Sequence, residues 1–307
     1  MTLTRPTAAA AAGAAARPAR AAKGSDESSM PIEGQRRHSD ALRGIGVAVT
    51  LLAALMLTFV GYLYFFSGVQ EARAQSALYP KLQYELAQGI APVGATTPGN
   101  PVAVLSIPAI GLHNTVVVEG TSPEDLTLGP GLLRDTVLPG QAGISVIFGR
   151  RATFGATFGR VPALRAGDLV TAVTSQGVAT YEVIGVSSSA KPVPFREYDN
   201  TLLLVTADSS LTPSHYVEVE AKLRSSAQQE PGGLPAVGQS EVALGRDPYA
   251  LIPALGWALL LAATAFAGSY AAGRWARWPA WIATIPVVLA ITWNLFQALS
   301  ALLPNLY

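Results

Sequence analysis

Transfer of an acyl group needs a nucleophile, a base within hydrogen-bond reach and a site for the developing negative charge. This 307-residue chain has no cysteine, which excludes disulfides, thiolate metal sites and thiol nucleophiles together. Its three histidines, His38, His113 and His215, stand far apart in sequence. A metal site needs several convergent ligands, so no metal and no cofactor is expected. Hydroxyls gather at Thr206, Ser209 and Ser210 around Asp208. The adjacent Arg150 and Arg151 have the right chemistry for a carboxylate or phosphate, because the guanidinium fork matches both. Asn294, Gln297 and Ser300 follow one another at three-residue spacing and so share a helix face. In an apolar segment that stripe predicts helix association through hydrogen bonds, within the chain or with another membrane protein. A formal net charge of +1, with basic residues scattered, argues against nucleic acid as a partner.

The elements that must position these residues include membrane spans. A mean hydropathy of +0.33 with only 13% charged residues is too apolar for an average soluble protein. Residues 1–43 are rich in Ala, Arg, Ser and Pro and read as a disordered tail. Residues 44–66 read as an uncleaved transmembrane helix; Arg36, Arg37 and Arg43 precede it, which places the amino terminus in the cytoplasm. Residues 67–101 read as an extracytoplasmic stalk with a short helix over 71–88, and 224–248 as a return linker. Residues 249–271 and 279–303 form a transmembrane hairpin, joined by a cytoplasmic loop over 272–278 that holds Arg274 and Arg277. The carboxyl-terminal end is then extracytoplasmic.

Between the anchors, residues 102–223 are mainly β. Short β-branched runs separated by turn residues predict strands over 102–107, 115–119, 143–148, 169–173, 179–186, 201–206 and 216–221, with a helical turn opening at Pro123 and capped by Ser122. Phe148, Phe154, Phe158 and Tyr181 are expected to pack in the core. Ser106-Ile107-Pro108-Ala109-Ile110-Gly111-Leu112 opens the domain, and Val118-Glu119-Gly120-Thr121, Gly129-Pro130-Gly131 and Leu138-Pro139-Gly140-Gln141-Ala142-Gly143 follow. The first is similar to the opening strand motif of the sortase family of membrane-anchored cysteine transpeptidases, and the order of the rest resembles that family, most closely its actinobacterial, class E/F-like members.

The resemblance implies a sortase-like β-barrel outside the membrane and assigns three catalytic positions. Arg150 stands where the family has its histidine, Ala207 where it has its cysteine, and His215 at the position of its final arginine. All three roles are vacant by residue type, which implies a pseudoenzyme. The same pairing of strands brings Arg150 and Asp208 to adjacent strand ends. There they could form an ion pair plugging the groove or, with Arg151, a notch for an anionic ligand. Three functions follow for a Gram-positive envelope protein. The leading one is a non-catalytic binding or scaffolding subunit with an envelope or membrane protein as partner. The others are a divergent acyltransferase or peptidase using a hydroxyl nucleophile, and a structural subunit assembled through the hairpin.

Overall fold

The computed structural model describes residues 33–190, 200–210, 213–274 and 277–307, without the side chains of 33–45 and 277–281. The greater part of the expected tail therefore lies outside the described residues, as do Trp275 and Ala276 of the hairpin loop. The chain divides into two compact units, 1–52 and 53–307; the first contains the opening turns of helix α1, and the fold below belongs to the second.

Helix α1 (Glu33–Gly61) passes through a π-helical turn, Tyr62–Phe66, into α2 (Ser67–Gln88). Helices α3 (Leu251–Arg274) and α4 (Arg277–Ala301) form the hairpin. Among the described residues three segments are long and apolar enough to cross a membrane, within Gly46–Gln88, Pro248–Arg274 and Ile282–Ala301.

Eight strands close into one barrel: β1 (Pro101–Ile107), β2 (Leu112–Glu119), β3 (Gly131–Leu132), β4 (Ile144–Phe148), β5 (Leu169–Thr174), β6 (Gly177–Ser188), β7 (Thr201–Ala207) and β8 (Tyr216–Leu223). The order around the barrel is β1-β2-β3-β4-β7-β8-β6-β5. Pairings β2–β3 and β4–β7 are parallel and the rest antiparallel. Seven strands fall within a few residues of their sequence positions. The two-residue β3 was missed because its segment, Gly129-Pro130-Gly131, carries turn residues and no β-branched run. Gly131 is required by close approach: a Cβ there would lie 2.0 Å from Gly120 O.

Alternation along the strands builds the interior. Ala103, Leu105 and Ile107 of β1 join Ile147, Leu202, Leu204, Val219 and Phe158 in the central core. The opposite face of β1 and β2 is covered as well, since Val104 and Val116 pack against Leu82 of α2, which is itself fully buried. Burying one leucine contributes about 2 kcal/mol, so the expected stalk is here a helix docked on the barrel. Gln75 of α2 fixes that docking: its Nε2 donates to Val116 O (3.0 Å) and Leu128 O (2.8 Å), and its Oε1 accepts from Val116 N (2.8 Å).

Candidate functional site

Strand registry brings the three sequence-assigned positions to one end of the barrel. Parallel pairing sets Phe148 beside Val205, and Gly149 N donates to Val205 O at 3.0 Å. Arg150 thus leaves β4 beside the end of β7, where Ala207 pairs with Tyr216 and Asp208 N donates to His215 O.

Arg150 is only 2% exposed and faces inward. Its Nε donates to Leu126 O (3.1 Å), its Nη2 to Pro123 O (2.6 Å) and its Nη1 to Thr153 Oγ1 (3.3 Å). The guanidinium carbon lies 4.4 Å from the centroid of the Phe154 ring, a cation–π contact. Burial pushes its pKa down to about 9. That value leaves it a cation at neutral pH, with no capacity to act as a base. The expected ion pair with Asp208 is not formed. Among the described residues no carboxylate stands within 4.0 Å of Arg150, and Asp208 Oδ2 lies instead 3.6 Å from His215 Nδ1. The physical reason is direction: the 123–128 turn presents two carbonyls to the buried guanidinium, whereas Asp208 is a partly exposed rim residue.

Ala207 is fully buried, in an apolar cluster to which the far end of the sequence contributes. After α4 the chain turns back onto the barrel, and Leu306, 0% exposed, packs in one apolar cluster with Leu126, Phe148, Val205 and Ala207. The segment is held along its main chain. Arg151 N donates to Leu306 O (2.9 Å) and Thr153 Oγ1 to Tyr307 O (2.6 Å). Asn305, also 0% exposed, donates from Nδ2 to Thr121 O (2.8 Å) and Val242 O (3.0 Å), and its backbone N–H donates to Gly245 O (2.9 Å). The Arg151 side chain donates to Gly159 O.

Comparison with known proteins places this architecture. Residues 105–223 match the family model described as the sortase domain. The barrel carries a sortase-family domain. Sortase D of Bacillus subtilis (strain 168) is 35% identical over 86 residues, 28% of this chain and 41% of that protein, so the match spans about two fifths of the relative's length. Among solved structures, a Clostridium perfringens sortase D5 transpeptidase aligns with a TM-score of 0.41 at 22% identity, covering 51% of this chain and 99% of that one. Sortase E from Streptomyces avermitilis aligns with a TM-score of 0.37 at 35% identity, covering 42% and 91%.

Among the described residues, the Thr206 and Ser214 hydroxyls at this end of the sortase domain do not form a substitute relay. Thr206 is fully buried and donates to Gly149 O at 2.9 Å, on the face opposite Ala207. Ser214 Oγ lies 3.0 Å from His215 Nδ1, the same nitrogen that faces Asp208. A serine–histidine–carboxylate relay needs its serine and carboxylate on different ring nitrogens; here both crowd one. His113 is remote on β2, and among the described residues no group of three or more His, Cys, Asp or Glu could hold a metal ion.

The polar stripe of α4 is used within the chain in part. Gln297 Nε2 donates to Gln70 Oε1 (3.3 Å), which also accepts from Tyr62 OH (3.1 Å). Ser300 is buried and donates to Gln297 O, and Asn294 Nδ2 donates to Ala290 O of its own helix. Phe154, Tyr62 and Phe296 form an aromatic cluster beneath the domain, and Tyr181 OH accepts from Gly140 N.

Sequence reasoning missed two parts of the site. One is the covering segment; its signal was Asn305-Leu306-Tyr307 following Pro304, a polar-then-apolar run just past a helix. The other is Glu119, read only as part of a turn motif. It is 1% exposed, and burial, outweighing the nearby Arg134, pushes its pKa up to about 7.

Proposed function

We propose that this protein is a membrane-anchored, non-catalytic sortase-like subunit that binds or scaffolds other proteins at the cell envelope. One observation carries the reading: the position assigned to the nucleophile is a methyl group, fully buried in an apolar cluster that includes Leu306. Arg150 supports it. Three of the five guanidinium donors are spent on two carbonyls and a hydroxyl, and at 2% exposure the group is not open to substrate, so Arg150 and Arg151 serve as framework of the cleft. The amino terminus lies in the cytoplasm and the barrel outside, in keeping with the basic residues before the first span and Arg274 at the end of α3. The motif resemblance favours an actinobacterial, Gram-positive envelope. Partner contact falls to the outer ends of the hairpin helices, where Asn294 keeps its Oδ1 available.

The test has two arms. The full-length protein in detergent is incubated with a sorting-signal peptide and an amine acceptor, and the mixture is read by mass spectrometry. No cleavage or transfer is expected; turnover lost on Ser209→Ala or Ser210→Ala would replace this reading by the hydroxyl-enzyme one. In the second arm, the protein and its Asn294→Leu/Gln297→Leu variant are purified from native membranes. A stoichiometric membrane protein present with the first and absent with the second supports the subunit role, and its absence from both would refute it.

A further inference from the structure

Three side-chain polar atoms of the described residues are buried without a hydrogen-bond partner: Glu119 Oε2, Arg134 Nε and Asn305 Oδ1. Such atoms are rare and costly, and these three surround one segment of the linker. Arg134 Nη1 lies 3.9 Å from Glu241 Oε1. Thr121 Oγ1 donates to Glu241 O at 2.6 Å, and Asn305 Nδ2 reaches the carbonyls on either side of it, Ser240 O (3.4 Å) and Val242 O (3.0 Å). The linker, the end of β2 and the segment covering Ala207 therefore meet at a single node.

The charges of this node do not balance. Glu119 of β2 faces Asp125 of the turn that follows, Glu241 of the linker and one cation, Arg134, from beyond β3. Glu230 and Glu119 line one small enclosed space on its other side. Among the described residues, the hydrogen bond that favours ionised Glu119 comes from the Thr96 backbone. A buried carboxylate with an unpaired oxygen and two acidic neighbours is held more easily as the neutral acid.

We propose that Glu119 is a proton-operated latch: protonated, it lets the linker segment 238–245 and residues 305–307 seat over the cleft, and ionised, it loosens them and uncovers Ala207. This regulation rests on the reading of the cleft as covered and without catalysis. The direction follows from linkage. The closed state holds the proton up to about pH 7, whereas a released Glu119 loses it near 4.5, the ordinary value for this carboxyl. Closure is tightest below pH 4.5, weakens as the pH rises from there, and is constant above about 7. Each pKa unit is a factor of about ten in the opening equilibrium. With part of the penalty relieved by water entering the node, about a tenfold increase between pH 5 and 7 is expected.

The experiment uses full-length protein in detergent with Ala207→Cys as the single thiol, labelled by a pyridyl disulfide that reacts at acid pH. Its rate is divided at each pH by that of Val178→Cys, whose position is 63% exposed. The ratio is expected to rise about tenfold from pH 5 to 7 and then level, and Glu119→Gln to hold it at the low-pH value throughout. A flat ratio in the parent, or an unchanged rise in Glu119→Gln, would overturn the latch. Should Glu119→Gln fold poorly, hydrogen exchange at the Asn305 amide of the parent protein, corrected for intrinsic rates, must show the same loss of protection; constant protection refutes it. Peptide turnover at either pH would instead overturn the non-catalytic reading and leave the latch standing.

Discussion

Because the chain contains no cysteine, Ala207→Cys turns the sealed position into its own reporter. A thiol there sits beneath Leu306, within the cluster of Leu126, Phe148 and Val205, and reacts only in molecules whose covering segment has lifted. The labelling rate then measures a local opening equilibrium rather than global unfolding. Removing the Leu306 side chain deletes a fully buried leucine, a change that costs about 2–5 kcal/mol. Even the lower figure corresponds to about a 30-fold increase in opening at 1.4 kcal/mol per tenfold. The assay is alkylation of the full-length protein at fixed pH, in the backgrounds Ala207→Cys and Ala207→Cys/Leu306→Ala, against the exposed Val178→Cys. The first is expected to label at least about 30-fold more slowly than the reference, and the second to recover most of that difference. The added sulfur crowds a full pocket at a cost of about 1–3 kcal/mol, so the melting temperature of each variant is recorded beside its rate. Labelling of Ala207→Cys as fast as the reference, with an unaltered melting temperature, would refute the sealed cleft. Equal protection with and without Leu306 would show that something other than this segment covers it.

Arg150→Ala strands two carbonyls and leaves a void, for an expected loss of about 3 kcal/mol or more. At about 2–4 °C per kcal/mol in a chain of this size, thermal unfolding should shift by about 6–12 °C. Arg150→Lys restores little, because one ammonium cannot span three acceptors held in different directions. Gln75→Ala removes three hydrogen bonds, two to Val116 of β2 and one to Leu128 O, and should cost about 2 kcal/mol, read as faster hydrogen exchange at Val116. Gly149→Ala would place a Cβ 2.3 Å from the buried Phe158 ring, so thermal unfolding should fall by an amount typical of overpacking, about 1–3 kcal/mol; an unchanged transition would contradict the packing at this strand end.

The barrel was legible because strand signals are local. Period-two alternation in 181–184 and 216–219 marks a wet and a dry face, and the structure buries Tyr181, Val183 and Val219 while leaving Glu182 and Glu218 partly open. The docking of α2 was not legible, because nothing local in Val104 or Val116 distinguishes a residue facing a helix from one facing a barrel interior. Arg150 was misread in its surroundings for a similar reason. Its neighbour across the strands, Asp208, is a plausible partner by charge, but the direction of the guanidinium is decided by carbonyls of the 123–128 turn, and every sequence has carbonyls. The run Asn305-Leu306-Tyr307 marks a segment past a helix but not where it packs, because Leu306 shares its cluster with residues about 100 to 180 positions away.

These failures share a cause that bears on function. A catalytic centre announces itself in sequence through residue types suited to chemistry, and its loss announces itself only as absence. What replaces it is packing, which any aliphatic side chain can supply. At this barrel end the packing is mutually consistent: Ala207 shares one cluster with Leu306, Thr153 ties both Arg150 and the Tyr307 carbonyl, and Arg150 fastens the turn that carries Leu126 onto the same cluster. Returning a histidine to position 150 and a thiol to position 207 would thus leave the thiol covered and the 123–128 turn without its fork. On the proposed non-catalytic reading, restoring activity would therefore require changing the whole cluster and not positions 150 and 207 alone.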